Sequence, residues 1–215
     1  MSLSNIIAPY PSVYYLPGYL SLDEQKSLVH RCRDLGNQAA GFYTPTIRYG
    51  GKMHLEMMCL GWHWNAKTYK YSKTRSDHDG LTVQELPPDL RELPSRIAAV
   101  VGMKICSDLC IVNHYSESGR LGLHQDKDES PETLEAGLPV VSVSVGDTAR
   151  FVMGGTRRKD PLKTILLESG DALAFGGPSR LRYHGVAGIL PGTAPEALGM
   201  IGRYNLTFRQ HMMKD

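Results

Sequence analysis

The apolar positions of this chain change their period about halfway along it. Between Ser21 and Gly36, the residues Leu22, Leu28, Val29, Cys32 and Leu35 recur at helical spacing. Ser21 followed by Glu24 has the form of a capping box, so an amphipathic helix is predicted there. A second helix is predicted within 89–102. Pro94 is expected to mark its regular start, because proline lacks the amide that an interior helical position needs. Beyond Gly102 the period falls to two, in runs at 109–115, 140–145, 149–153, 164–167, 172–175, 184–186 and 202–209, separated by Gly, Asp and Pro. So many short strands with turn signals between them indicate a sandwich, barrel or jelly roll. The start of the chain reads as extended and Pro-rich. In the segment 41–81, Phe42, Tyr43, Tyr49, Trp62, Trp64, Tyr69 and Tyr71 alternate with basic residues around a Gly50-Gly51 turn, which predicts a surface hairpin layer rather than core. With no repeat and no linker, one domain over 1–215 is expected: an extension and helix to about residue 40, the aromatic segment to about 85, and a β core over about 105–210.

Composition narrows this picture. Of the 215 residues, 41% are hydrophobic and 21% charged, which fills a core and excludes a disordered or coiled-coil chain. No apolar run approaches the ~18 residues of a membrane span, and Met1 to Pro9 carries no basic leader, so a cytoplasmic protein without membrane attachment is expected. Cys32, Cys59, Cys106 and Cys110 lack the spacing of a zinc ribbon or disulfide framework and are expected to be buried thiols. A net charge of +2 gives no global attraction to nucleic acid, although Lys67, Lys70, Lys73 and Arg75, and again Arg157, Arg158, Lys159 and Lys163, form local basic runs.

The chemistry concentrates in the β half. In His124-Gln125-Asp126 an extended backbone projects an imidazole and a carboxylate to one side. His184, in a later strand, supplies a third candidate ligand. Two histidines and a carboxylate on a rigid sheet match the facial triad of non-haem iron oxygenases, whereas His184 alone reads as a structural histidine. In the run 203–209, period two puts Arg203, Asn205, Thr207 and Arg209 on one face and Tyr204, Leu206 and Phe208 on the other. If the apolar face packs against the helices, both guanidinium groups look inward. Desolvating each costs several kcal/mol unless it is paired, so a small dicarboxylate is the economical partner; an edge strand with solvated arginines is the alternative. Asn113 and Tyr115 share a face with Leu109 and Ile111 and add an amide and a phenol that want partners.

Together these residues are recognisable. The blocks Asn113-His114-Tyr115, Leu121 to Glu129, Gly154-Gly155, Gly170-Asp171, Ser179-Arg180, Tyr183-His184-Gly185 and Arg203 to Gln210 resemble the AlkB family of iron(II)- and 2-oxoglutarate-dependent dioxygenases that repair alkylated nucleic acid. The similarity is dense from about Leu109 to Gln210 and thin before it. It implies a mainly β, α+β fold: a double-stranded β-helix (jelly-roll) core with flanking N-terminal helices and a β-hairpin nucleotide-recognition lid in the 41–85 segment. It implies Fe(2+) held by His124, Asp126 and His184. It also implies 2-oxoglutarate held by Asn113, Tyr115, Arg203, Asn205 and Arg209, with Arg203 at the distal carboxylate and Arg209 near the chelating one. By the same resemblance Asp128 meets the exocyclic amine of a damaged base, Trp62 stacks on that base opposite His124, and Tyr69 touches a phosphate or the base edge. The implied reaction is O2-dependent oxidative demethylation of bases such as 1-methyladenine and 3-methylcytosine in single- or double-stranded DNA, with RNA as an alternative. It converts 2-oxoglutarate to succinate and CO2, releases formaldehyde, and is expected of a monomer. Phe175 replaces a tryptophan of some members, and the Met-rich stretch from Met53 to Met58 has no aligned counterpart. Rival readings are a related oxygenase acting on protein, lipid or modified RNA, a non-enzymatic jelly-roll binding protein, and a zinc hydrolase using the same triad.

Overall fold

The computed structural model describes residues 6–213. Strands β1 (Ile7–Tyr10), β2 (Val13–Leu16), β3 (Glu56–Leu60), β6 (Leu109–Tyr115), β8 (Val140–Gly146), β11 (Ala172–Phe175) and β13 (Arg203–Arg209) form a seven-stranded sheet in the order β1-β2-β11-β8-β13-β6-β3. A second sheet, β10-β9-β12-β7, joins β7 (Leu121–His124), β9 (Thr148–Met153), β10 (Lys163–Leu167) and β12 (His184–Leu190). The two antiparallel sheets face each other as a jelly roll, and the small hairpin of β4 (His63–Asn65) and β5 (Lys70–Ser72) stands apart from both.

Strand alternation decides what each face of the large sheet does. On β13, Tyr204, Leu206 and Phe208 are buried in one apolar cluster with Leu28, Val29 and Cys32 of α1 (Leu22–Gly36) and Ile97 and Ala98 of α2 (Pro88–Val100). Each such side chain contributes roughly 1.5–3 kcal/mol on full burial, so this outer face is pinned and the alternate residues are forced inward. The second cluster fills the space between the sheets, where Ile111, Tyr115, Phe151, Met153 and Phe175 meet. Helix α1 begins on the capping box: the Ser21 amide donates to Glu24 Oε2 at 2.8 Å and the Glu24 amide to Ser21 Oγ at 3.3 Å.

Several expectations need correction. Helix α2 runs through Pro94 rather than starting there; the ring is buried beside Leu90, Leu93, Ile97 and Ala98, and packing on the sheet outweighs one lost helical hydrogen bond. The extended start pairs as β1 and β2 and completes the large sheet. The aromatic segment is not all surface: Met57, Met58, Cys59 and Leu60 of β3 are buried and pair with β6. Strand β12 extends to Leu190, beyond the expected 184–186. Cys32, Cys59 and Cys110 are buried, but Cys106 is exposed. Among the described residues no helix is long and apolar enough to cross a membrane.

Candidate active site

His124 and His184 are 60 positions apart in the chain yet face each other directly across the β7–β12 pair, their rings 4.5 Å apart. Gly185 permits this approach, because a Cβ there would lie 2.6 Å from the Leu121 carbonyl. Asp126, in the loop just past β7, completes a group whose potential ligand atoms all lie within 4.8 Å of one another. Its Oδ1 is 3.7 Å from His124 Nε2 and its Oδ2 is 3.5 Å from His184 Nε2. Each histidine also sets Nδ1 against the carbonyl two residues before it, His124 on Gly122 and His184 on Arg182, both at 2.9 Å. A proton held at Nδ1 by that carbonyl leaves the Nε2 lone pair facing Asp126, the tautomer a metal requires. Burial, together with the neighbouring His184, pushes His124 down to about 4, so its imidazole is neutral at ordinary pH. Burial alone would raise Asp126; Arg209 and the two histidines outweigh it and hold the carboxyl well below the usual carboxylate range. Two imidazoles and an ionised carboxylate are a donor set that fits Fe(II).

The triad opens into a cavity of about 500 Å³ whose floor is the inner face of β6, β8 and β13. Asn113, Tyr115, Arg203, Asn205 and Arg209 all line it. Arg203 is buried and donates to the Leu167 carbonyl at 3.0 Å, the Asp147 carbonyl at 3.2 Å and Ser144 Oγ at 2.6 Å, all uncharged acceptors. Burial lowers its pKa to about 10, which still leaves it charged. Asp147 fixes this end by accepting the amides of Thr193 and Ala194 at 2.9 Å and of Gly202 at 3.1 Å. Asn205 donates to Ser142 Oγ at 2.7 Å and to the Val143 carbonyl at 3.1 Å. Arg209 differs, because its Nη1 lies 3.1 Å from Asp126 Oδ1 and 2.7 Å from Glu129 Oε1. The Nε atoms of both arginines are buried without a partner. Two orphaned donors at opposite ends of one cavity fit a small dianion.

The other predicted contacts are only partly assembled. Tyr69 lines the cavity mouth from the β4–β5 turn at φ +57°, a conformation rare for a bulky residue, and is 47% exposed. Asp128 lines the same mouth. Trp62 does not. It occupies the bend after Gly61, whose φ is +80° and where a Cβ would lie 2.1 Å from the Asp108 carbonyl. Its ring packs edge-on to His211 at 4.8 Å, under Lys73 Nζ at 4.0 Å. The ring at the cavity is that of Trp64, whose Nε1 donates to Asp128 Oδ2 at 2.8 Å and whose ring lies 5.9 Å from that of Tyr69. Burial raises the Asp128 pKa against the lowering effect of that hydrogen bond. Trp64, Glu129 and Arg180 went unassigned in the sequence reading. The second tryptophan two residues on from Trp62 was the available signal for the first, the acidic residue closing the run 126–129 for the second, and the Ser179-Arg180 block for the third.

Fold and triad together have the organisation of a 2-oxoglutarate and Fe(II) oxygenase, and residues 12–209 match the family model of the 2OG-Fe(II) oxygenase superfamily. The chain is 44% identical to the DNA N(6)-methyladenine demethylase ALKBH1C of Arabidopsis thaliana over 94% of its own length and 49% of that protein. It thus spans about half the length of the plant relatives it matches. It is 39% identical to the alpha-ketoglutarate-dependent dioxygenase AlkB homolog of Caulobacter vibrioides over 90% of this chain and 85% of that one. The solved structure of OsALKBH1 superposes with a TM-score of 0.90 at 40% identity, covering 96% of this chain and 100% of that chain. The chain belongs to the AlkB family of 2-oxoglutarate- and Fe(II)-dependent oxygenases.

Proposed function

We propose that this protein demethylates N-methylated bases in DNA by oxidation. His124, Asp126 and His184 hold Fe(II), Arg203 with Asn205 and Tyr115 receives the far carboxylate of 2-oxoglutarate, and Arg209 with Asn113 serves the end nearer the metal. When bound, the metal with 2-oxoglutarate and O2 supplies oxidation of the methyl carbon, which leaves as formaldehyde while 2-oxoglutarate becomes succinate and CO2. The chain's own residues do the rest. Trp64 and Tyr69 offer aromatic surfaces to a base extruded from its stack, and stacking of that kind is worth ~1–3 kcal/mol per base. Asp128, with one oxygen taken by Trp64, presents the other to an exocyclic amine. The observation that carries this reading is the convergence on a single cavity of the triad and of two buried arginines whose Nε donors have no partner.

The substrates proposed are 1-methyladenine and 3-methylcytosine, with modified RNA as the alternative. N6-methyladenine is a second reading, favoured by the name of the Arabidopsis relative. Oligonucleotides carrying each methyl group, incubated with Fe(II), 2-oxoglutarate and ascorbate, should lose it as followed by mass spectrometry. Succinate formed with no methyl lost from any of them would overturn the substrate class while leaving the oxygenase chemistry.

A further inference from the structure

Two hydrogen bonds tie the β4–β5 hairpin to the loop that carries the metal carboxylate. Trp64 reaches Asp128, and Tyr71 Oη donates to Glu129 Oε1 at 2.9 Å. Glu129 does not face the cavity; its side chain is 0% exposed. Besides Tyr71 it accepts from Arg209 Nη1 at 2.7 Å and from Arg180 Nη2 at 2.8 Å. Arg180, also buried, donates from Nε to the Leu138 carbonyl at 2.8 Å and from Nη1 to the backbone carbonyl of Asp126. Arg209 closes the ring by sharing Nη1 between Glu129 and Asp126. Asp126, Glu129, Arg180 and Arg209 thus form a buried quartet with no net charge, in which Asp126 is held at its backbone by one arginine and at its carboxylate by the other. Such quartets are unforgiving, because removing one member leaves another charge buried without its partner.

We propose that Glu129 and Arg180 are positioning residues for the metal carboxylate, and that Tyr71 ties their arrangement to the hairpin lying over the cavity. This rests on the reading that His124, Asp126 and His184 hold the metal. Glu129 sets how much of Arg209 is left for Asp126. Arg180 sets where the Asp126 backbone sits. A nucleic acid that moves the hairpin pulls on Tyr71 and so reaches the metal carboxylate without touching it. Outer partners of this kind typically change metal affinity by about 10–100-fold.

The test uses Co(II) as the probe, followed by its visible absorption and by calorimetry, with no turnover required. In Glu129→Gln the Kd for Co(II) should rise about 10–100-fold with an altered band, and Glu129→Asp should recover part of the loss. In Tyr71→Phe the Kd should stay within about twofold of the unmutated protein, while the change in the Co(II) band on adding a methylated oligonucleotide should disappear. If Glu129→Gln does not fold, Arg180→Lys takes its place with the same expectation. A normal Kd and band in Glu129→Gln and Arg180→Lys, with only a lowered Tm, would overturn the positioning role, and an oligonucleotide-induced band change that is absent from the unmutated protein or persists in Tyr71→Phe would overturn the link to the hairpin. Absence of His124-dependent Co(II) binding in the unmutated protein would overturn the metal-site reading and this inference with it.

Discussion

The two ends of β13 carry the same residue in opposite electrostatic settings. Arg203 sits among carbonyls and a hydroxyl, and among the described residues no carboxylate lies within ion-pair distance of it. Arg209 is already neutralised by Asp126 and Glu129. Strand period alone gives both arginines equal need of an external anion; the structure shows that Arg203 is left without a carboxylate partner, whereas Arg209 is first of all a structural counter-ion. One end of the cavity is a socket for charge, and the other is a charge network that the protein completes by itself.

The largest effect that could break this contrast is at Asp126. Asp126→Ala removes the one anionic member of the triad, and turnover on a methylated oligonucleotide should fall by more than about 1000-fold in a steady-state assay. Retained activity would show that the metal end has been misassigned.

The contrast sharpens in a pair of isosteric variants. Arg209→Met leaves the Asp126 carboxylate without an arginine and takes one of two from Glu129, and should destabilise the fold by roughly 3–5 kcal/mol, a Tm drop on the order of 10 °C. Arg203→Met strands no charge but leaves three neutral acceptors unpaired, so it should lower Tm less than Arg209→Met does, while the KM for 2-oxoglutarate rises about 10–100-fold with the loss of a charge-assisted contact. Calorimetry and initial rates distinguish the two, and equal Tm losses would erase the distinction. The pH dependence follows from the same pairing. Asp126 is held below the ordinary carboxylate value, so its contribution is present above pH about 4 and is lost as pH falls toward its folded value. The stability gap between the unmutated protein and Arg209→Met should therefore be constant above about pH 5 and narrow below pH 4, as read by urea unfolding of metal-free samples.

The smallest effect separates the two tryptophans. Trp64→Ala should raise the KM for a methylated oligonucleotide about 10-fold with little change in Tm, from the loss of one stacking surface. Trp62→Ala should instead lower Tm, because its ring wedges His211 and Lys73 against the hairpin. The reverse pattern would restore Trp62 as the stacking residue.

Much of the β half was legible because alternation, once one face of a strand is apolar, fixes both faces. That is why Arg203, Asn205 and Arg209 fall on one face of their strand and Asn113 and Tyr115 on one face of theirs from the sequence, whereas their union in one set came from the family resemblance. The first half was less legible. Pro94 misled because a local rule ignores burial on the sheet, and β2 escaped because its partner β11 lies more than 100 residues downstream, while β1 joins the sheet only through β2. Trp62 was favoured over Trp64 by its place in a motif, but the +80° turn at Gly61 takes it out of strand register.

The order of residues along this chain determined by itself the donor types, the two-residue period that gathers an arginine face, and the capping box that starts α1. Those are short-range properties, set by backbone geometry and side-chain chemistry within a few positions. Only the tertiary structure decided that His124 meets His184, that Arg209 is paired while Arg203 is not, and that Glu129 with Arg180 stands behind Asp126. Each of these is a contact between segments distant in sequence, fixed by how two sheets close on one cavity, and no local period encodes it.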